Sequence, residues 1–399
     1  MTELLPEAAL LPMTRRPGCP FDPPEELALL RERHPVSRLA FDDGHVGWLV
    51  TSHALVRAAL ADARLSARHE LMHVPFPGMG ITELPAAPPG FFTALDPPEH
   101  TRFRGLLVGK FTVRRMKQLT ARAQQIVADH LDAMERQGPP VDLVQAYAYP
   151  IPALMICELL GVPDADHGLF QRLATVNGRE TPMEEQIEAM IALRDYVREL
   201  IVAKRAEPTD DLLSDLTSSD LTQEELENAG TAVLGGALDS TANVLALGVF
   251  ALLSHPEQLA ALRADPGIAE TATDELLRYL TPVHTSVRAA LDDFELGGHQ
   301  IKAGQTVALA LSAANRDPER FPEPDTLDLN RRATAHVTFS HGIHQCLGQQ
   351  LARVELSAAI PALVTRFPSL RLAIPPADIP LRDGSMYGVK QLPVTWDGA

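Results

Sequence analysis

Apolar residues recur with a helical period along most of the chain, and strand-like alternation is confined to a few short segments. Helical spacing, with prolines or acids at the start of several segments, predicts helices over residues 23–33, 98–111, 114–137, 151–162, 183–206, 222–254, 256–264 and 268–280. Alternating positions predict strands near 45–52, within 286–311 and at 392–396. The sequence therefore predicts a mainly α fold with a minor antiparallel β portion.

Two long segments follow neither period. Residues 66–92 combine prolines, glycines and aromatic residues, which is typical of ordered loops that cover binding sites, although a flexible surface loop has a similar composition. Residues 314–335 form a second coil, which leads into a segment rich in histidine. Since no repeat, low-complexity linker or break in composition divides the sequence, we expect residues 1–399 to form one domain.

Composition narrows the range of functions. The 399 residues carry a formal net charge of -17, which disfavours general binding to nucleic acids or anionic membranes because phosphates repel such a surface. The first residues, MTELLPEAALLPM, are acidic where a signal peptide is basic. The three cysteines lie too far apart for a disulfide framework. We therefore expect a soluble, cytoplasmic and monomeric protein.

One segment could contradict a soluble protein. Residues 231–254 are apolar and long enough to cross a bilayer. Their middle contains Asp239, Ser240, Thr241 and Asn243, however, and the sequence has no second segment of this kind. A buried central helix is the better interpretation.

The segment HVTFSHGIHQCLGQQLARVE places one cysteine among histidines and glycines, directly before a predicted helix. Unpaired backbone N–H groups and the helix dipole at such a position favour the thiolate form of Cys346. Gly342 and Gly348 remove side chains where the backbone must approach closely. The site is suited to holding a thiolate under a bulky, flat partner.

From the residues alone, four interpretations of this cysteine are open. It could be a buried structural thiol, a nucleophile paired with His341 or His344, a zinc ligand, or a thiolate ligand of haem iron. The zinc site would use His336, His341, His344 and Cys346. That set lacks the usual paired spacing of zinc ligands and leaves the glycines unexplained.

The segment FSHGIHQCLGQQLARVE resembles the haem-binding signature of the cytochrome P450 superfamily, phenylalanine-x-x-glycine-x-histidine/arginine-x-cysteine-x-glycine. Phe339, Gly342, His344, Cys346 and Gly348 fill its fixed positions. The resemblance implies the cytochrome P450 fold, with haem b between a distal helix at about 225–254 and the cysteine loop and helix at about 339–366. It also implies that Cys346 is the axial iron ligand, with the ring of Phe339 packed near it.

Other segments resemble haem contacts of the same family. DPPEHTRFR is similar to the family's C-helix segment, which implies that His100 and Arg104 reach the haem propionates. Their i, i+4 spacing places both on one helix face. TSVRAALDD resembles the strand whose arginine, here Arg288, does the same, and His344 is implied to hydrogen-bond a propionate.

A structural motif of the family is also matched. DELLRY carries the E-x-x-R pair Glu275 and Arg278, and Arg331 stands where the family's third member is expected. The resemblance implies a buried cluster behind the haem that serves folding and haem retention.

GALDSTAN resembles the family's oxygen-activating helix. The resemblance implies that Asp239 relays protons and that Ser240 holds the water that protonates iron-bound dioxygen. Two departures from the family pattern stand out: serine replaces the usual threonine, with Thr241 one position later, and Ala237 replaces a glycine. Thr241 is the working alcohol if the alignment is off by one residue.

The resemblance implies a monooxygenase that uses O2 to hydroxylate or epoxidise an apolar organic substrate such as a polyketide or macrolide. Electrons would come from NAD(P)H through ferredoxin reductase and ferredoxin, since no flavin or dinucleotide segment is attached. Two rivals remain: a non-catalytic haem-binding protein of the same fold, and a zinc or cysteine hydrolase. The acid–alcohol pair on the distal helix favours the enzyme over the first rival.

Two surfaces follow from this assignment. We expect the loop at 66–92 to form a mobile roof over the substrate and six residues to line the pocket walls: Leu234, Leu238, Val283, Val287, Met386 and Tyr387. Residues 101–117 contain six basic and no acidic residues, so we expect this basic run to dock an acidic ferredoxin, although a solvated basic helix end is the simpler interpretation.

Overall fold

The structure, a computed structural model, describes residues 8–81, 84–111, 113–169, 183–382 and 384–398. The α-helices whose bounds it describes are α1 (Glu25–Arg33), α2 (His53–Ala61), α3 (Glu99–Val108), α4 (Val113–Gln137), α5 (Pro150–Leu160), α6 (Met183–Ala206), α7 (Leu212–Thr217), α8 (Gln223–Ser254), α9 (Pro256–Ala264), α10 (Ala269–Leu280), α11 (Leu311–Ala314) and α12 (Gln349–Arg366). The predicted helices are confirmed, and their ends shift by at most three residues.

The strands are short. They are β1 (Val36–Ala40), β2 (Val46–Val50), β3 (Leu65–Ser66), β4 (Val141–Asp142), β5 (Thr285–Ala290), β6 (Phe294–Leu296), β7 (His299–Ile301), β8 (Thr306–Ala310), β9 (Arg371–Leu372), β10 (Leu381–Arg382), β11 (Gly388–Val389) and β12 (Pro393–Thr395). The mainly α class with a minor β portion is confirmed.

The strand pairing differs from the sequence expectation in one respect. Residues 286–311 do not form a sheet of their own: β5 and β8 join the N-terminal hairpin in a five-stranded sheet of order β1-β2-β8-β5-β3. The pair β2–β8 is parallel and the other pairs are antiparallel. The turn at Gly297 and Gly298 closes the separate hairpin β6–β7. Local periodicity identified the strands. It could not identify the pairing of β2 with β8, because these strands lie more than 250 residues apart in the sequence.

The long helix α8 is fixed at its start by a capping box. The hydroxyl of Thr222 accepts a hydrogen bond from the Glu225 N–H at 3.2 Å, and the Glu225 carboxylate accepts one from the Thr222 N–H at 2.8 Å. Length and hydropathy would allow α8 to span a membrane, but 72% of its most apolar window is buried within the protein. α8 is therefore a core helix, as the sequence predicted.

The main hydrophobic core lies among α4, α5, α8, α10 and α12. α12 packs on α4, α8 and α10, which fixes the position of the segment that precedes it. α8 and residues 340–351 face each other across an internal cavity, and β5 contributes to its side wall.

Candidate functional site

The cavity has a volume of about 280 Å³ and is mostly apolar. Its apolar wall includes Phe92, Ile156, Leu159, Ala232, Val233 and Leu347. Polar groups are concentrated on one side, where the thiol of Cys346 and four basic side chains meet. An apolar cavity with a few convergent polar groups is the usual form of a ligand or cofactor site.

Cys346 faces this cavity at the start of α12. Its backbone N–H donates to the carbonyl of Phe339 at 2.8 Å, which closes the cysteine loop. Burial raises the pKa of the Cys346 thiol, and the backbone N–H groups of Gly348 and Gln349 only partly offset this effect. The backbone N–H donors expected at the helix start are present, but in the absence of a metal their effect on the thiol pKa is smaller than that of burial. A bound cation would deprotonate such a thiol.

The two glycines of the loop have different roles. Gly342 has a φ of +74°, and a Cβ there would lie 2.5 Å from the carbonyl oxygen of Leu60. A side chain is therefore excluded at this position by the end of α2. A Cβ at Gly348 would meet no protein atom within 4 Å, although Gly348 lines the cavity. Gly348 therefore leaves open space where a side chain would enter the cavity.

Phe339 packs beside the cysteine loop rather than forming part of the cavity wall. The guanidinium of Arg353 lies 4.7 Å from its ring centroid, and the ring also contacts His336 at 5.5 Å between centroids. Phe339 contacts Cys346 through its backbone carbonyl, which accepts the hydrogen bond from the Cys346 N–H.

Four basic side chains converge beside the thiol: His100, Arg104, Arg288 and His344. The rings of His100 and His344 lie 4.2 Å apart between centroids. Among the described residues, neither ring nitrogen of His100 nor Nε2 of His344 has a hydrogen-bond partner, although all three atoms are buried. Buried polar atoms without partners are rare in proteins, so they indicate a site for an acceptor group.

The electrostatics of these groups agree with that interpretation. Burial, with the charges of Arg288 and His100, lowers the pKa of His344 to about 3. Burial also lowers the pKa of Arg288 to about 10, and it lowers the pKa of His100 and Arg104. An anion placed beside these groups would favour the charged form of each. The carboxylates of haem propionates fit this cluster, as the thiol fits the iron.

On the opposite wall, Gly236 and Ala237 of α8 face the cavity. Ser240 lies one helical turn beyond Gly236 and donates a hydrogen bond from Oγ to the Gly236 carbonyl at 3.1 Å. Thr241 points about 100° away, as neighbouring helical positions do, and is buried with 6% of its surface exposed. Neither residue lines the cavity in the described part of the chain, so the choice of Ser240 over Thr241 as the working alcohol stays a prediction.

Asp239 does not point freely towards solvent or Ser240. One carboxylate oxygen accepts hydrogen bonds from the Tyr149 hydroxyl at 2.6 Å, from Arg382 at 2.6 Å and from the Asn243 amide at 3.0 Å. Burial lowers the pKa of Arg382, but the hydrogen bond and charge of Asp239 outweigh it, so the pKa is raised. Sequence reasoning missed Tyr149 and Arg382, which lie 90 and 143 residues from Asp239.

The predicted structural triad is assembled away from the cavity. Arg278 donates to both oxygens of Glu275, at 2.7 and 2.8 Å, and both side chains are completely buried. Arg331 reaches the same carboxylate at 3.0 Å. Arg278 also donates to the carbonyls of Asn315 and Pro324, so the cluster ties α10 to the coil before the cysteine loop.

None of the six predicted pocket residues lines the cavity in the described parts of the chain. Leu234 is fully buried in the core, whereas its neighbour Val233 faces the cavity. Tyr387 is 2% exposed and donates from its hydroxyl to the Pro20 carbonyl at 2.6 Å. The remaining predicted residues that do not line the cavity are Leu238, Val283, Val287 and Met386.

On β5 the difference from the expected lining is one of phase, and the role of the six residues in substrate contact stays a prediction. On β5, Ser286 and Arg288 face the cavity, so Val287 between them points to the other face of the strand. There Val287 packs on Ala67 and Met72. A shift of one residue therefore moves a predicted wall residue into the core.

The predicted roof loop is tied down on two sides. The Gly78 N–H donates to the Asp42 carboxylate at 2.7 Å, and the Asn228 amide donates to the Pro89 carbonyl at 2.8 Å. Residues 82–83 lie outside the described part of the chain. These contacts place the loop between the β1–β2 turn and α8; its mobility over a substrate stays a prediction.

Four residues of the basic run at 101–117 form ion pairs within the chain, and the run as a docking surface stays a prediction. Arg114 pairs with Asp210 at 2.9 Å, and the buried Arg115 pairs with Asp215 at 2.9 Å. The further pairs are Arg102 with Glu225 and Lys110 with Asp215. These acids come from α7, from the residues just before it and from the start of α8, so the pairing could not be foreseen from the run itself.

The zinc interpretation is not supported by the described residues. The group whose ligand atoms lie within 4.8 Å of one another is Glu158, Asp164 and His167, far in sequence from the cysteine loop. His336 instead lies 3.6 Å from the carboxylate of Asp274.

Comparison with known proteins gives a consistent result. Residues 268–392 match the family model described as Cytochrome P450. The chain is 49% identical over 384 residues to Cytochrome P450 105C1 of a Streptomyces species, covering 94% of this chain and 96% of the relative. It is 45% identical over 387 residues to pentalenic acid synthase of Streptomyces avermitilis, covering 95% of each.

Solved structures agree as well. The crystal structure of CYP105P1 in complex with filipin I matches with a TM-score of 0.91 and 39% identity, covering 98% of this chain and 100% of that one. The structure of GfsF matches with a TM-score of 0.89 and 40% identity, covering 98% of this chain and 100% of that one.

Proposed function

The chain belongs to the cytochrome P450 superfamily and is an oxidoreductase of the monooxygenase class, and we propose that it hydroxylates or epoxidises an apolar natural product. The observation that carries this proposal is the convergence of Cys346, the basic cluster and the distal wall of α8 on one apolar cavity. A structural thiol would not need four basic side chains around it.

The residues that would hold haem b are those of the cysteine side. Cys346 would bind the iron, and the propionates would accept hydrogen bonds from His100, Arg104, Arg288 and His344. Bound haem supplies O2 activation, to which the thiolate contributes electron density. The apolar wall would help to exclude water from the reacting side.

The chain's own contribution to catalysis is proton delivery. Asp239 would take a proton from the solvent side at its carboxylate, where Tyr149 and Arg382 orient it. Ser240 Oγ would hold the water that receives this proton next to the cavity. The serine lacks the methyl group that stiffens a threonine, so its hydroxyl samples more rotamers.

The proposed substrate class is based on the apolar cavity wall and on the names of similar proteins. Phe92, Val233 and Ala237 offer contacts suited to a hydrocarbon skeleton rather than to a charged ligand. Relatives include pentalenic acid synthase and a structure that holds filipin I. A polyketide, macrolide or terpenoid scaffold fits both observations.

Electrons would come from NAD(P)H through ferredoxin reductase and ferredoxin. With four residues of the basic run in ion pairs, the surface of the cysteine loop is the better docking candidate. There the exposed Arg57 faces His341, and Ile343 exposes 49% of its surface. Arg57 has no ion-pair partner among the residues that the structure describes, and an exposed apolar side chain near such a charge suits an acidic partner.

We retain the remaining expectations as proposals. The chain would act in the cytoplasm, as a monomer, with residues 1–399 forming a single domain that binds neither nucleic acid nor membrane. The continuous core that joins α4 to β12 supports one domain.

The test is a spectrum of the purified protein after reduction and addition of carbon monoxide. A strongly red-shifted Soret band is expected, and Cys346→Ala should lose this band and most of the haem. A wild-type protein without the band would refute the haem-thiolate assignment. A band without any product from substrates that shift the spin state, with ferredoxin and reductase supplied, would instead indicate a haem-binding protein without catalysis.

A further inference from the structure

Ser340 combines two unfavourable features in the cavity wall. Its φ is +62°, a conformation that costs stability for any residue other than glycine. Its Oγ is buried and has no hydrogen-bond partner among the described residues. An unpaired buried hydroxyl costs stability as well.

The other non-glycine residues with positive φ in the described chain do not share this combination. The Thr281 hydroxyl donates to the Arg278 carbonyl at 2.9 Å and accepts from the Asn315 amide at 2.8 Å. Glu323 is exposed to solvent. Strain and an unsatisfied buried donor coincide at Ser340, which is the pattern expected of a functional position.

The backbone holds Ser340 beside the thiol. Its N–H donates to the Val337 carbonyl at 2.8 Å, and the preceding carbonyl, that of Phe339, accepts from the Cys346 N–H at 2.8 Å. Ser340 lines the same cavity as Cys346 and His344. Rotation about Cα–Cβ moves the hydroxyl among three staggered positions without moving this backbone.

We propose that Ser340 is a positioning residue whose hydroxyl donates a hydrogen bond to an anionic acceptor of the bound haem unit. The inference rests on the proposed haem-thiolate function. Two acceptors offer this chemistry, the Cys346 sulfur and a propionate carboxylate, and ionised acceptors form the stronger hydrogen bonds. A donor at the sulfur withdraws charge from the iron ligand, whereas a donor at a propionate retains the cofactor.

The test compares Ser340→Ala with Ser340→Gly in the haem-loaded protein. Both variants remove the hydroxyl, but only glycine also relieves the φ strain. The two measurements are the haem reduction potential and the rate of haem transfer to apomyoglobin. A donor to sulfur predicts an equal fall in potential in both variants; a donor to a propionate predicts a several-fold faster transfer in both, at unchanged potential.

The strain gives an internal control. Ser340→Gly should unfold at a higher temperature than Ser340→Ala, and Glu323→Gly should relieve strain without changing either haem property. If neither property changes in the Ser340 variants, or if the alanine variant alone differs, the hydroxyl has no role and the proposal is overturned. The wild-type Soret band separates this result from a failure of the haem assignment itself.

Discussion

Two neighbouring hydroxyls on α8 have different environments, and this difference predicts different consequences of their removal. The Ser240 hydroxyl donates to the Gly236 carbonyl and is partly exposed, whereas Thr241 is buried. We expect Ser240→Ala to keep haem and substrate binding but to lower product formed per NAD(P)H about tenfold, with peroxide rising. Thr241→Ala should stay coupled. Uncoupling by Thr241→Ala with a coupled Ser240→Ala would show that Thr241 is the working alcohol.

The contacts of Asp239 change how its substitution must be tested. Asp239→Asn removes the proton carrier and also the carboxylate charge that pairs with the half-buried Arg382, so we expect a loss of about 1–3 kcal/mol of stability together with slow turnover. In Asp239→Asn/Arg382→Gln, stability should return while turnover stays slow. Recovery of both in the double variant would mean that the slow turnover came from misfolding. Thermal unfolding and single-turnover rates provide the two readouts.

At the scale of elements, α12 carries a buried acid that catalysis does not use. Burial raises the pKa of Glu355 to about 8 from an ordinary value of 4.5. The folded protein thus keeps a proton that the unfolded chain releases, so this group lowers stability as pH rises from about 4.5 to about 8. We expect Glu355→Gln to remove a pH dependence of up to about 1.4 kcal/mol per pH unit in this window.

The measurement for Glu355 is the unfolding free energy of variant and wild type at several pH values between 5 and 8. The difference should grow with pH. Glu257→Gln on the exposed face of α9 is the matched control and should give a constant difference. A constant difference for Glu355→Gln as well would show that the carboxyl is ionised in the folded protein.

The helices, the cysteine site and the cavity wall differ in how well the sequence predicts them. Helix existence and bounds follow from local periodicity and caps, as α8 with its Thr222 box illustrates. The cysteine site follows from the specific spacing of Cys346 and its neighbours. The phase of a wall residue does not follow, because α8 is apolar on almost all sides and Val233 and Leu234 look equivalent in sequence. Contacts such as Asp239 with Arg382 join distant segments and leave no local pattern.

At the scale of the whole molecule, a net charge of -17 makes local positive surfaces valuable for recruiting an acidic partner. Most basic residues of the run form ion pairs with acids of the same chain, as Arg114 does with Asp210. The cysteine-loop surface around Arg57 and Ile343 is exposed and carries positive charge. The docking prediction therefore moves from the run to this surface.

We expect Arg57→Glu to slow reduction by ferredoxin about tenfold at low salt, and less at high salt, because screening weakens attraction between exposed charges. Arg114→Glu changes the net charge by the same amount at a site already paired with Asp210, so it serves as the control and should have a much smaller effect. Reduction by dithionite should be unchanged in both, since it needs no docking. Equal slowing by both variants would show that ferredoxin senses total charge, and slowing of the dithionite reaction would show damage to the haem site instead.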